Sequence, residues 1–356
     1  MKKSLITLTI MLASAALVTV FCSSVMAKVT GPCSNCHTMH NSQGGSHMIL
    51  NTSIDGFGGP DGGGYTSLTR GTCVGCHTGD VNSGPIPFVN SASIPTDYLA
   101  GGNFFWVAQA GGSAKGHNVK GIPGMTEDAV LTVAPGDSIG CADSCHLTLF
   151  EPQNDTLDTG CQGCHLAPKH HALQQAVGAP ALEVNGFFRF LSGHMPGDGV
   201  EGIEDVDWQY SNDANDHNEY LGLVNANSDG GFNSIGGNTM TAYCTGCHGN
   251  FHAQSDVNSD WIRHPSDAVL PNTGEYLNYT IYDPIAPVAR PNLTTIANTG
   301  LVANNFDMVM CLSCHRAHGS PNDDLLRWDY DDMVAGDASK TGGCFVCHTT
   351  KNGSTP

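Results

Sequence analysis

Charge is scarce in this chain: Asp, Glu, Lys and Arg make up 13% of its 356 residues, about half the usual share of 25%. What charge there is has mostly one sign, 14 Lys and Arg against 33 Asp and Glu, for a net charge of −19. So acidic a surface repels phosphate backbones and anionic headgroups, which excludes nucleic-acid binding and electrostatic attachment to membranes. Aromatic residues are only 7% of the chain. Beyond Phe21 there is no apolar stretch of the roughly 18 residues that a membrane span requires. With 44 glycines and few long aliphatic runs, the polypeptide alone is poorly supplied for a hydrophobic core.

The N-terminus is the exception. Met1, Lys2 and Lys3 precede an apolar run from Leu5 to Phe21, followed by Val25-Met26-Ala27, a small-residue cleavage signal. Residues 1–27 are expected to be a secretory signal peptide, so that the mature chain starts at Lys28. Cys22 follows a bulky phenylalanine, which disfavours lipoprotein processing. The expected location is extracellular or at the cell surface, with the periplasm as the alternative.

Cysteine is used almost wholly in one pattern. The run C-x-x-C-H occurs at residues 33–37, 73–77, 161–165, 244–248, 311–315 and 344–348. Such a run reads as a c-type haem attachment site, in which two thiols add across the porphyrin vinyl groups and the next imidazole lies against the iron. The attaching pairs are Cys33 and Cys36, Cys73 and Cys76, Cys161 and Cys164, Cys244 and Cys247, Cys311 and Cys314, and Cys344 and Cys347. The proximal ligands are His37, His77, His165, His248, His315 and His348. A seventh run, Cys141-Ala-Asp-Ser-Cys145-His146, has one extra residue between its thiols, which a flexible loop absorbs. Its competing reading is a local disulfide beside an ordinary histidine. Together the seven runs use 14 of 15 cysteines. A disulfide framework needs no histidine after every second cysteine, and structural zinc sites join two C-x-x-C units. Covalent haem attachment also suits an extracytoplasmic address.

The motif starts are 40, 68, 20, 83, 67 and 33 residues apart, so no solenoid repeat is present. Residues 28–356 would hold seven haems with only about 47 residues for each. The expected fold is mostly irregular and loop-rich, with short α-helices, few short strands and stacked haems as the core. Glycine-rich connections at 56–64 and 230–237 and prolines at 85, 87, 95, 284, 287 and 291 break longer patterns. Short helices are expected beside haem sites, for instance over 169–177, and short strands near 279–288. One continuous domain is the preferred reading. Two lobes, residues 28–175 with four haems and 240–356 with three, would read the same way.

Ten of the 17 histidines are not proximal ligands. If every iron takes a second imidazole, seven of the ten are consumed. His40 and His318 stand three residues after a proximal histidine and His252 four after one, on their own motif's side, so each suits a neighbouring haem. His170 and His171 point in different directions and can serve two haems. His117 and His264 lie in haem-free gaps, where loops can return over a distal face. His217 is a further candidate, whereas His47 and His194 are the weakest. His217 sits in an acidic run, 198–220, with Asp205, Asp207, Asp213, Asp216 and Glu219. Calcium is the lesser reading of this run, because EF-hand spacing is missing, and a solvated acidic loop is the expectation. Met39, Met48 and Met195 are alternative axial ligands that the histidine supply makes unnecessary. Bis-histidine ligation throughout implies low potentials and no open iron position for substrate. An electron carrier is therefore expected, and not an enzyme, whose exchangeable haem is sometimes marked by C-x-x-C-K, a run this chain lacks. Trp106, Trp208, Trp261 and Trp328 are expected to pack on porphyrin edges.

Larger pieces of the sequence are also informative: GPCSNCHTMHNS after the leader, GHNV around His117, PKHH at 168–171, WIRHPS around His264 and CLSCHRAHGS near the C-terminus. In these the chain resembles the multihaem c-type cytochromes of the outer surface of metal-reducing bacteria, the OmcS and OmcE kind that polymerise into conductive filaments. The resemblance implies a continuous haem stack and a histidine, here His40, that ligates a haem in the next subunit. It further implies a homopolymer fed by periplasmic or outer-membrane cytochromes and discharging to extracellular acceptors such as metal oxides. A non-polymerising electron-transfer cytochrome is the alternative. Seven sites and the wider 141–146 motif depart from the family, whose OmcS-like members carry six haems and OmcE-like members four.

Overall fold

A computed structural model of the chain describes residues 29, 31–40, 42–44, 46–47, 68–69, 72–80, 86–131, 134–136, 149–150, 159–166, 168–172, 186–192, 199–223, 238–248, 264–294 and 300–353. The signal peptide, the 141–146 motif with Cys141, Cys145 and His146, both glycine-rich connections, Met48, His194, Met195, His252 and Trp261 lie outside the described residues. Among the described residues no helix is long and apolar enough to cross a membrane.

Among the described residues, regular structure comes in pieces of two to five residues, and most of the helical pieces coincide with the attachment motifs. Three are short α-helices, α1 (Cys73–Cys76), α2 (Met240–Cys244) and α3 (Cys344–Cys347). Three more are 3-10 turns at Cys33–Asn35, Gly160–Gly163 and Cys311–Ser313. The common cause is one hydrogen bond. In all six regular motifs the histidine backbone N–H donates to the carbonyl of the first cysteine, at 2.8 to 3.2 Å. That bond closes a single helical turn, and positions i, i+3 and i+4 share one face of such a turn. Both sulfurs and the imidazole therefore leave the backbone on the same side.

The strands form three antiparallel pairs: β1 (Ser42–Gln43) with β2 (Ser46–His47), β3 (Gly202–Ile203) with β4 (Glu219–Tyr220), and β5 (Ala268–Val269) with β6 (Met308–Val309). The strand expected near 279–288 is not formed. That segment contributes an isolated bridge from Ile281 to Leu301. Beyond it the chain turns at Asp283, which accepts the backbone N–H groups of Ile285 and Ala286, and prolines at 284 and 287 remove the donors a ladder needs. Of the helix expected over 169–177, residues 169–172 are described, and they make a turn closed by Ala172 N–H on the Lys169 carbonyl.

Apolar side chains gather in three small clusters. Phe188, Val200, Tyr220, Met240, Ala289, Met310 and Leu312 form one, with Cys244 at its margin. Tyr279, Tyr282, Val288, Val302 and Val346 belong to a second, edged by Cys347 and Trp328. Phe104, Val107, Val119 and Ile122 make the third, edged by Cys161. Each cluster thus ends at a motif cysteine, where a porphyrin face would extend it.

One backbone contact sets the place of His318. Residues 101–103 lie against 318–320, with His318 N–H on the Gly101 carbonyl at 2.7 Å and Asn103 N–H on the Gly319 carbonyl at 3.0 Å. Two glycines permit this approach: a Cβ at Gly102, where φ is +87°, would sit 1.9 Å from the Gly319 oxygen. The segment after the fifth regular motif is thereby tied down more than 200 residues from its partner in sequence.

Candidate haem centres

Five of the proximal histidines face a second histidine. His37 and His171 have ring centres 6.0 Å apart, His77 and His170 6.2 Å, His165 and His318 6.1 Å, His117 and His248 6.1 Å, and His264 and His348 6.3 Å. These distances are too long for ring stacking and uniform across five unrelated pairs. A metal–imidazole bond of about 2 Å, with the nitrogen about 1.1 Å from its ring centre, puts two imidazoles on opposite sides of one ion about 6.3 Å apart. The interplanar angles range from 26° to 84°, so the shared quantity is the gap and not the ring orientation. A gap of this width between two imidazoles, beside two cysteines on one helical turn, fits a covalently held haem.

The rings are also held in one tautomer. A carbonyl can only accept, so each Nδ1 that meets one is the protonated nitrogen, and Nε2 keeps its lone pair for a metal. His77 Nδ1 donates to Pro87 at 2.9 Å, His165 to Arg189 at 2.9 Å, His248 to Pro135 at 2.7 Å, His37 to Leu68 at 3.2 Å and His315 to Asp324 at 2.8 Å. His117 does the same to Ala317 at 2.7 Å and His264 to Pro265 at 2.9 Å. His348 differs in donating to a carboxylate, Glu275 Oε1, at 2.6 Å.

Burial keeps several of these rings neutral, as ligation requires. Desolvation lowers the pKa of His77, His117, His165 and His315, and lowers that of His318 to about 3. The thiols respond in the opposite sense, burial pushing Cys164, Cys314 and Cys347 up to about 12.

The motifs follow one another in space. The Cys161 thiol is hydrogen-bonded with that of Cys73, and that of Cys244 with Cys311. Cys164 lies near Cys247, and Cys314 near Cys344. His170 and His171, neighbours in one turn, face His77 and His37 respectively. The six described motifs therefore adjoin in the order 33–37, 73–77, 161–165, 244–248, 311–315 and 344–348. The 315–320 segment helps to hold three of them: His315 is proximal, His318 faces His165, and the Ala317 carbonyl orients His117 toward His248.

His217 departs from its expected role. Its Nδ1 meets the Asp213 carbonyl at 3.1 Å, its Nε2 meets Glu219 Oε1 at 3.1 Å, and its ring stacks on Tyr282 at 3.6 Å. With both nitrogens engaged and the residue fully buried, it is not disposed to ligate an iron, and it is a surplus histidine. The acidic run around it is solvated only in its middle: Asp213 and Asp216 are exposed, whereas Asp205, Asn218 and Glu219 are buried. Oxygens of Asp205, Asp207 and Asp213 accept backbone N–H groups at Gln209, Ser211 and Asn215. Among the described residues no group of three or more His, Cys, Asp or Glu is arranged to hold a metal ion. His40 is exposed and has a left-handed backbone, with φ of +54°. Among the described residues no imidazole faces His315. Sequence reasoning missed Glu275, for which no spacing rule exists. Trp106 meets Tyr98 edge-on at 4.9 Å.

The chain is similar to several known proteins. Residues 304–353, which hold the last two motifs, match the family described as the doubled CXXCH motif. The chain is 26% identical over 373 aligned positions to the C-type cytochrome OmcS of Geobacter sulfurreducens, covering 86% of this chain and 81% of that protein. Among solved structures it is similar to the outer membrane cytochrome S filament of Geobacter sulfurreducens, with a TM-score of 0.48, 20% identity and 88% of each chain covered. A cryo-EM structure of OmcS nanowires from the same organism gives a TM-score of 0.45, 21% identity and 84% coverage of each chain. The chain thus resembles OmcS over most of its length, and its last two attachment motifs match the doubled CXXCH family.

Proposed function

We propose that this protein carries seven bis-histidine c-type haems, is exported, and passes electrons outside the cell as a filament of identical subunits, toward acceptors such as metal oxides. The observation that carries the reading is the set of five imidazole pairs spaced 6.0 to 6.3 Å apart, on motifs that adjoin in an unbroken order. Bound haem supplies a one-electron ferric–ferrous couple. The chain's own residues would act as holders: the motif cysteines would attach each haem, the paired imidazoles would hold its iron, and the backbone carbonyls keep Nδ1 protonated so that Nε2 is free for the metal. Iron held between two imidazoles at each of these five sites would leave no place for a substrate, which favours an electron carrier over an enzyme. The 141–146 run is read as the seventh site.

The same reading gives His40 its role. It is exposed and three residues beyond a proximal histidine whose distal position faces His171. His40 of one copy ligates a haem of the next, and the 311–315 motif is the acceptor this reading favours. Support comes from the resemblance of GPCSNCHTMHNS to the filament-forming cytochromes. Electron microscopy of purified native protein is expected to show regular fibres. His40→Ala is expected to abolish them and to turn one haem per subunit high-spin, with every haem still covalently attached. Monomers only, at high protein concentration and with wild-type His40, would refute polymerisation and leave a discrete electron-transfer cytochrome.

A further inference from the structure

The described proximal histidines differ in one respect. His37, His77, His165, His248 and His315 donate Nδ1–H to neutral backbone carbonyls, whereas His348 donates to the Glu275 carboxylate at 2.6 Å. The contact is built and not incidental. Glu275 lies in the 3-10 turn Gly274–Tyr276, and its carbonyl accepts Thr349 N–H at 2.9 Å. Its second carboxylate oxygen meets Lys351 Nζ at 3.0 Å, and the Tyr276 ring lies 5.1 Å from that of His348. The carboxylate is thus clamped to the residues just after the last motif. A hydrogen bond to an anion is shorter and stronger than one to a neutral carbonyl. A carboxylate behind a ligating imidazole also raises its basicity toward the metal. Ferric iron carries one more positive charge than ferrous iron and gains more from that donation.

We propose that Glu275 is a positioning residue that lowers the reduction potential of the haem held at 344–348 and biases this end of the line toward giving electrons up. Lys351 opposes it by drawing on the same carboxylate. The inference rests on the reading of His348 and His264 as axial ligands of one haem.

The test compares the full-length mature holoprotein with Glu275→Gln and Lys351→Met by spectroelectrochemical titration. Peptide mass analysis accompanies it, to establish haem on the fragment holding Cys344 and Cys347. Glutamine keeps an acceptor oxygen and removes the charge. One haem per chain should become easier to reduce by at least tenfold in its ferric-to-ferrous ratio, about 59 mV for a one-electron couple, while remaining low-spin. Lys351→Met should move the same haem the opposite way. If the fragment carries haem and both variants titrate like the parent, or both shift in one direction, the role of Glu275 is refuted while the haem site stands. A fragment without haem would refute the site and the inference together.

Discussion

Arg290 is the sharpest probe of how so loop-rich a chain is held between its haem sites. The residue is 1% exposed. Its Nε donates to Glu219 Oε2 at 2.8 Å, its Nη1 to Asp307 Oδ2 at 2.5 Å and to the Leu301 carbonyl at 2.7 Å, and its Nη2 to Glu219 Oε1 at 3.3 Å. Glu219 in turn meets His217, so three buried side chains, Glu219, Asp307 and His217, depend on one guanidinium. Burial raises the pKa of Asp307 even beside Arg290, while the neighbouring carboxylates raise that of Arg290 against its own burial, so desolvation and attraction oppose each other across the network. Such a network adds little net stability when complete but is costly to break. Arg290→Met strands two carboxylates in the interior, and breaking a buried pair in this way costs about 3–5 kcal/mol. Adding Glu219→Gln and Asp307→Asn removes the stranded charges and should recover most of the loss. The assay is urea denaturation of the holoprotein, followed by far-ultraviolet and Soret circular dichroism at neutral pH. Because Ala289 and Met308 pair next to Arg290 and lead into the 311–315 motif, the Soret signal should report the loosening. An Arg290→Met midpoint within about 1 kcal/mol of the parent would refute the reasoning.

Two further variants test neighbouring parts of the structure. Asp267 is buried, accepts the Thr239 hydroxyl at 3.0 Å, and is raised by desolvation to about 6. An unfolded aspartate titrates near 3.9, so between about pH 4 and 6 the folded chain binds the proton that the unfolded chain has lost, and stability falls with rising pH by up to about 3 kcal/mol. Below that window the penalty is absent and above it complete. Asp267→Asn should therefore flatten the slope and raise stability at pH 7.5, read as denaturation midpoints across pH 4 to 8; a parallel displacement of the whole curve would contradict this. Gly102→Ala puts a methyl group 1.9 Å from the Gly319 oxygen, on a backbone with φ of +87°. Overpacking of this kind costs about 1–3 kcal/mol, and here it should push His318 away from His165, weakening one haem's low-spin spectrum. An unchanged spectrum would show that this glycine contact does not position His318.

The attachment chemistry was legible because it is local. Two thiols and an imidazole within five residues fold on one i to i−4 hydrogen bond, so sequence spacing and spatial arrangement are nearly the same statement. The loop-rich fold was legible for a related reason, since glycine, proline and the scarcity of long apolar runs leave little from which a long element could form. The distal partners were legible only as a pool. His117 reaches His248, and His318 reaches His165, across more than 100 residues of chain, and nothing in the spacing encodes those distances. His217 shows the limit most clearly. Its acidic neighbours suggested solvent, yet Arg290, more than 70 residues away, draws Glu219 inward and takes the histidine with it. The network was invisible because an isolated arginine after an alanine carries no signal of burial.

The pairing pattern also bears on how the fold is reached. With three small apolar clusters and strands of two residues, few contacts could close loops of about 80 to 150 residues before haem is present, and long-loop closure is entropically unfavourable. A distal histidine bound across such a loop acts as a cross-link between remote segments: His37 with His171, His77 with His170, His165 with His318, His117 with His248 and His264 with His348. Two of these links, His165 with His318 and His117 with His248, start before the acidic run and end beyond it. Both pairs therefore join segments on either side of the acidic run. The first ties the third regular motif to the segment after the fifth, and the second ties the fourth motif to a loop that precedes the third. Metal ligation is folding free energy where the site is not preformed, so on the proposed ligation the overlapping links would add to the long-range order that the 101–103 contact with 318–320 and the Arg290 network already supply.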